Sequence, residues 1–190
     1  FKIAREFMAG LPAPTFCVPG NHDVPHYDLW HRLTSPYKKY EEYIIDNLSP
    51  LIENPQVIIL GLNSARGVLP HWNWANGALS GAQRRRVKEV FRPDETRWKI
   101  CVFHHPIHKL LETPLDVTVF GAKEMLKVIR EQEVDLVLTG HVHHASLTTI
   151  GDVQHQTVYL SASTALSSRR RKQENGFNVI TLLDSEMVID

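Results

Sequence analysis

Little cysteine, no net charge and no long apolar run mark this sequence first. Two cysteines occur in 190 residues. Cys17 sits in Thr15-Phe16-Cys17-Val18 and Cys101 in Lys99-Ile100-Cys101-Val102-Phe103, short apolar runs that read as buried strands. Two such thiols read as free core residues rather than a disulfide framework, and a reducing compartment fits them. Lys plus Arg and Asp plus Glu each number 21, so no global positive field favours nucleic acid or an anionic membrane. No apolar run approaches the roughly 20 residues of a membrane span. Neither a signal-peptide pattern, a repeat nor a low-complexity tract is found, and a cytoplasmic protein is expected.

What remains is the composition of an ordinary globular chain, 43% apolar and 22% charged. The length fits one domain, taken as residues 1–190. Residue 1 is Phe, and a short helix is expected at once, over Lys2 to Ala9, stopped by Gly10 and Pro12. A strand from Thr15 to Pro19 follows. Tyr37, Tyr40, Tyr43 and Ile44 recur at helical spacing and predict a helix from Ser35 to Asn47. Further strands are expected over 56–62, 98–103, 134–139, 145–150, 158–161, 177–183 and 187–189. Helices are expected over 80–91, with Ser80 as N-cap, and over 122–132. The order is βα-like for two-thirds of the chain and β-rich at the end, which predicts a mixed sheet layered with helices and a second sheet completed by antiparallel strands.

Histidine is in excess, eleven in all. His22, His26 and His31 share one segment, His104, His105 and His108 a second, and His141, His143 and His144 a third; His71 and His155 stand apart. The groups at 20–23, 104–105 and 140–144 each follow an expected strand. Ligands in open α/β sheets bind outside the carboxyl ends of strands, so parallel neighbours would bring the three groups into one pocket. Asn21, His104, His141 and His143 then offer a neutral N/O set, suited to Mn²⁺, Fe²⁺ or Zn²⁺ more than to Ca²⁺. His141 and His143 share a face if extended; in a loop they could flank two metals. His22, beside Asp23, is a candidate general acid held in orientation by the carboxylate. His105, His108 and His144 adjoin these groups. His71, Trp72 and Trp74 either pack locally or line a pocket mouth and stack on a base. The proline-containing stretch after His105 could form a lid, and Arg84–Arg86 reads as a solvated face.

Gly20-Asn21-His22-Asp23, His104-His105-Pro106 and Gly140-His141-Val142-His143, in that order, resemble the calcineurin-like metallophosphoesterase superfamily, and among its members the bacterial branch that includes cyclic-nucleotide phosphodiesterases. The superfamily pattern is D-x-H, G-D, G-N-H-[DE], H and G-H-x-H. Its last three blocks are present; the 19 residues before Gly20 contain neither Asp nor His, so no D-x-H or G-D block precedes it. The expectation is an N-terminally truncated domain rather than loss of the motifs.

The resemblance implies an α/β fold, a four-layer α/β/β/α sandwich of two mixed sheets with its N-terminal part missing. It implies two divalent metals in the complete protein, with Asn21, His104 and His141 on the second and His143 on the first. It implies hydrolysis of a phosphoester, expected to be a phosphodiester, by a hydroxide bridging the two cations. His22 protonates the leaving group and Asp23 orients it. The partner is then a small phosphoester, such as a cyclic nucleotide. A nuclease of the same superfamily is an alternative, although the zero net charge argues against long nucleic acids; Arg169–Lys172 could meet phosphates or form a solvated loop. A non-catalytic scaffold that has lost half the metal site is another.

Overall fold

The computed structural model describes residues 1–108, 118–166 and 174–190. The expected lid after His105 falls largely, and the basic run Arg169–Lys172 wholly, outside the described residues.

Continuous apolar runs build the centre. Strands β1 (Leu51–Glu53), β2 (Val57–Gly61), β4 (Trp98–Val102), β6 (Leu136–Thr139), β7 (Ser146–Gly151) and β8 (Gln156–Ser161) form one sheet in the order β1-β2-β4-β6-β8-β7. β2, β4, β6 and β8 run parallel; β1 and β7 close the two edges antiparallel. β3 (Gly77–Ala78) and β5 (Val119–Phe120) pair parallel, and β9 (Ile180–Leu182) and β10 (Met187–Ile189) form an antiparallel hairpin.

Each central strand is buried on both faces, as parallel strands require. Ile58, Leu60, Cys101, Val137 and Tyr159 point to the face covered by helices α4 (Gly81–Val90) and α5 (Ala122–Glu131). Their neighbours Val57, Ile100, Leu136 and Leu160 point the other way, beneath Ile180, Leu182, Met187 and Ile189 of the hairpin. Trp98 pins that hairpin, its indole N–H donating to the Leu183 carbonyl at 2.8 Å. The described layers are therefore helices, a six-stranded mixed sheet, and a second small sheet. The mixed α/β expectation holds, with the second sheet represented by an antiparallel pair.

Ser80 is the N-cap of α4 as expected: its hydroxyl accepts the Gln83 N–H, and the Gln83 side chain accepts the Ser80 N–H at 2.9 Å. Two expectations need correction. The helix expected over 35–47 is shorter, α3 (Lys38–Tyr43), and a separate, unexpected helix α2 (Leu29–Thr34) precedes it. Pro36 disfavours the α region at Ser35, which sits at φ −152°, and so the periodic tyrosines begin a new helix after it. The segment 15–19 forms no strand and belongs to none of the sheets. Val18 nevertheless lies against the end of β2, where a side-chain carbon at Gly61 would come within 2.9 Å of it. Helix α1 (Lys2–Ala9) buries no residue; Phe1 stacks on Tyr43 and the Arg5 guanidinium lies 5.6 Å from the same ring. No helix among the described residues is long and apolar enough to cross a membrane. Cys17 and Cys101 are free thiols; Cys101 is fully buried, which pushes it up to about 12, while Cys17 is half-buried.

Candidate metal centre

The carboxyl ends of the parallel strands deliver the polar residues, where open α/β sheets place ligands. β4 leads through Phe103 to His104 and His105. β6 leads through Gly140 to His141. The 3₁₀ turn Asn21–Asp23 brings the third group from the N-terminal side.

Three of the expected residues meet at one point. The Nε2 atom of His104 lies 2.9 Å from Oδ1 of Asn21. Nδ1 of His141 lies 3.2 Å from that same oxygen and 3.2 Å from Nε2 of His104. Two nitrogens and an oxygen thus face one another in a nearly equilateral triangle. Ligands bound at about 2.1 Å to one cation are about 3.0 Å apart at right angles and about 3.4 Å apart at tetrahedral angles. The triangle fits one face of either polyhedron, so these residues fit a divalent cation without rearrangement.

The electrostatics agree. Burial, and then the neighbouring His105 and His141, hold His104 well below the ordinary histidine range. It is therefore neutral at physiological pH, as a metal-binding imidazole must be. Asn21 is buried, and an amide oxygen supplies a donor without a second charge.

Gly20 makes the meeting possible. A side-chain carbon there would lie 2.8 Å from the His104 ring. Asp23 closes the turn, its carboxylate accepting the Gly20 N–H at 2.8 Å. Burial raises the Asp23 carboxyl while this hydrogen bond and the nearby His22 pull it back down. The carboxylate thus has a direct bond to the turn, and the Nδ1 atom of His22 lies 3.0 Å from Nε2 of His26.

His141 and His143 do not alternate along a strand. Both adopt left-handed backbone, φ 68° and 54°, on either side of fully buried Val142. Such conformations in non-glycine residues cost energy and gather at functional sites. The two therefore do not share a face as alternating strand residues would. His143 stands outside the triangle but close enough to lower His104 by its charge, as His22 does.

His105 is also within reach: His104, His105 and His141 each offer a ring nitrogen within 4.8 Å of the others. Its nitrogens are already committed, however. The Ser64 hydroxyl donates to Nδ1 at 2.8 Å and accepts the His105 backbone N–H at 3.1 Å, while Nε2–H donates to the Ala75 carbonyl at 3.0 Å. Burial and His141 push its pKa down to about 3. His105 is a neutral wedge, its ring centroid 4.8 Å from that of His104 and 4.6 Å from that of His141, and it supports the site rather than ligating in it. Sequence reasoning did not assign this role; the only signal was adjacency to His104.

Of the other expected contributors, His71 stacks on Trp72 at 5.5 Å and accepts hydrogen bonds from Asn73 and Asn76. Trp72 is exposed, and Trp74 lies under the guanidinium of Arg32 at 4.9 Å. The loop carrying them is tied to the site through Ala75. His108 is half-buried against Tyr159.

The family model described as calcineurin-like phosphoesterase matches residues 2–145. That span contains the whole triangle. The chain belongs to the calcineurin-like phosphoesterase family. Two similar members are bacterial. A protein of Synechococcus sp. named "Probable cyclic nucleotide phosphodiesterase" is 28% identical over 158 residues, covering 76% of this chain and 52% of the relative. One of Arcobacter nitrofigilis named "Probable glycerophosphodiester phosphodiesterase GpdQ" is 28% identical over 153 residues, covering 78% of this chain and 52% of the relative. The chain therefore spans about half the length of these curated phosphoesterase relatives. The family is one of metallophosphoesterases, and the triangle is compatible with that chemistry.

Proposed function

We propose that this chain is a metal-dependent phosphodiesterase that hydrolyses small phosphodiesters. The observation that carries the reading is the triangle of Asn21 Oδ1, His104 Nε2 and His141 Nδ1, with edges of 2.9, 3.2 and 3.2 Å. These residues hold one divalent cation of the Mn²⁺, Fe²⁺ or Zn²⁺ type, and His143, across Val142, serves a second. Cations bound there supply Lewis-acid polarisation of the phosphoryl oxygens.

The chain's own groups do the rest. His104 and His141 stay aimed, because His105 packs against both rings and is itself fixed by Ser64 and Ala75. Asp23 and Gly20 set the turn that carries Asn21 and His22. His22 is exposed beside the triangle, and it protonates the departing alkoxide: its N–H bond breaks as the O–H bond of the product alcohol forms. The names of the two relatives support a small phosphodiester, a cyclic nucleotide or a glycerophosphodiester. Zero net charge supports this over a long nucleic acid. Two free thiols support a reducing, cytoplasmic setting.

The test is hydrolysis of bis(p-nitrophenyl) phosphate, p-nitrophenyl phosphate, a cyclic nucleotide and single-stranded DNA, with and without added Mn²⁺. Cation-dependent cleavage of the small diesters, lost in His141→Ala, is expected. Preference for DNA would favour the nuclease reading. Cation uptake without hydrolysis of any of the four would leave a scaffold.

A further inference from the structure

We propose that His26 is the positioning residue for His22, holding the imidazole that delivers the proton; the proposal rests on the reading of His22 as that acid. Nε2 of His26 and Nδ1 of His22 are 3.0 Å apart, with the rings tilted 58° and their centroids 4.9 Å apart. The distance is that of a hydrogen bond carrying one proton between the two nitrogens.

The backbone holds His26 at that distance. Asp23 closes the turn on one side, and Val24 is buried next to it. On the other side Arg32, only 2% exposed, grips the loop from beneath. Its guanidinium donates to the Pro25 carbonyl at 2.6 Å, to Trp74 at 3.2 Å and to Arg66 at 3.4 Å, and lies over the Trp74 ring. Burying a guanidinium is costly unless its donors are used, and here the two terminal nitrogens bond three carbonyls, one of them adjacent to His26. Asp23 shapes the turn that carries His22, and His26 meets the ring.

The proton balance is simple. A charged His22 donates Nδ1–H to the lone pair of His26 Nε2 and presents Nε2–H to the leaving oxygen. When that N–H bond breaks, the alcohol gains the hydrogen and His22 is left neutral as the Nδ1–H tautomer that His26 already accepts. No ring flip is needed before the next proton is taken up. His26 fixes both the ring plane and the tautomer, as an orienting partner does for a catalytic histidine.

Two measurements test this. In ¹⁵N-histidine-labelled chain without added metal, a scalar coupling across the N–H···N bond between His22 Nδ1 and His26 Nε2 is expected, and it disappears in His26→Gln. Absence of that coupling overturns the proposal whatever the activity. In the metal-loaded chain, rates are compared on aryl phosphodiesters of good and poor leaving groups. His26→Ala is expected to lose about 10-fold or more on the poor leaving group and much less on the good one, with kcat rather than KM carrying the loss. His26→Gln, whose amide oxygen can accept the same N–H, restores most of it. If His22→Ala shows the leaving-group dependence and His26→Ala does not, the positioning role is wrong and the acid stands. If His22→Ala loses equally on both substrates, the acid reading fails and takes this proposal with it.

Discussion

At the scale of single residues, the site depends on close approach. Gly20 leaves room for the His104 ring, which a methyl group would meet at 2.8 Å. Gly20→Ala should therefore push His104 out of the triangle and cost about 1–3 kcal/mol, the range for overpacking. Thermal unfolding and Mn²⁺ affinity check it together; unchanged affinity would mean that the ring does not need its present position. His105 separates support from ligation. His105→Gln should leave cation binding in place but weaken it about 10–100-fold, as loss of an outer-shell partner does. The sequence named His104 and His141 because a histidine after an apolar run is visible in a string of letters, and Asn21 because it stands beside His22 in the third polar group. His105 escaped because its role lies in Ser64 and Ala75, 41 and 30 positions away, and only folding brings them to its ring.

At the scale of elements, long apolar runs were readable and local breaks were not. β10 lies where its apolar triplet put it, and β2, β4 and α4 end within a residue or two of their expected limits. The tyrosine spacing at 37, 40 and 43 is genuinely helical, yet it could not reveal that Pro36 cuts the segment or that Asp28 starts a separate helix by accepting the His31 N–H at 3.0 Å. That short helix carries Arg32, whose bonds to three carbonyls no sequence pattern announces. Arg32→Lys should destabilise, because an ammonium cannot reproduce the planar fork on separate carbonyls nor the stacking on Trp74. A loss of about 2 kcal/mol or more is expected from the unpaired carbonyls, measured by denaturant unfolding. Ser80→Ala removes a cap instead and should cost about 1 kcal/mol without touching cation binding. Equal effects of the two substitutions on the site would contradict the strut assigned to Arg32.

At the scale of the whole molecule, one sheet separates two apolar layers and gathers chemistry at the carboxyl ends of its parallel strands. The mixed α/β class follows from the strand–helix order. The small second sheet, by contrast, owes its place to the apolar face of β2, β4, β6 and β8 that it covers. Burial elsewhere gives the fold a pH dependence. His108, half-buried against Tyr159, is held below its ordinary range by desolvation. The unfolded chain binds a proton at this residue from about pH 6.5 downward while the folded chain resists it, so its contribution to stability is complete above that pH and declines as pH falls below it. His108→Phe should flatten the fall in melting temperature between neutral and mildly acidic pH; an unaltered slope would remove His108 as a cause. The central claim, that Asn21, His104 and His141 form one cation site in this chain, is tested most directly by titrating Mn²⁺ into the protein and following bound metal by electron paramagnetic resonance. The account predicts saturable uptake that Asn21→Ala, His104→Ala and His141→Ala each abolish while His105→Gln retains it. Uptake that survives all three substitutions would contradict it.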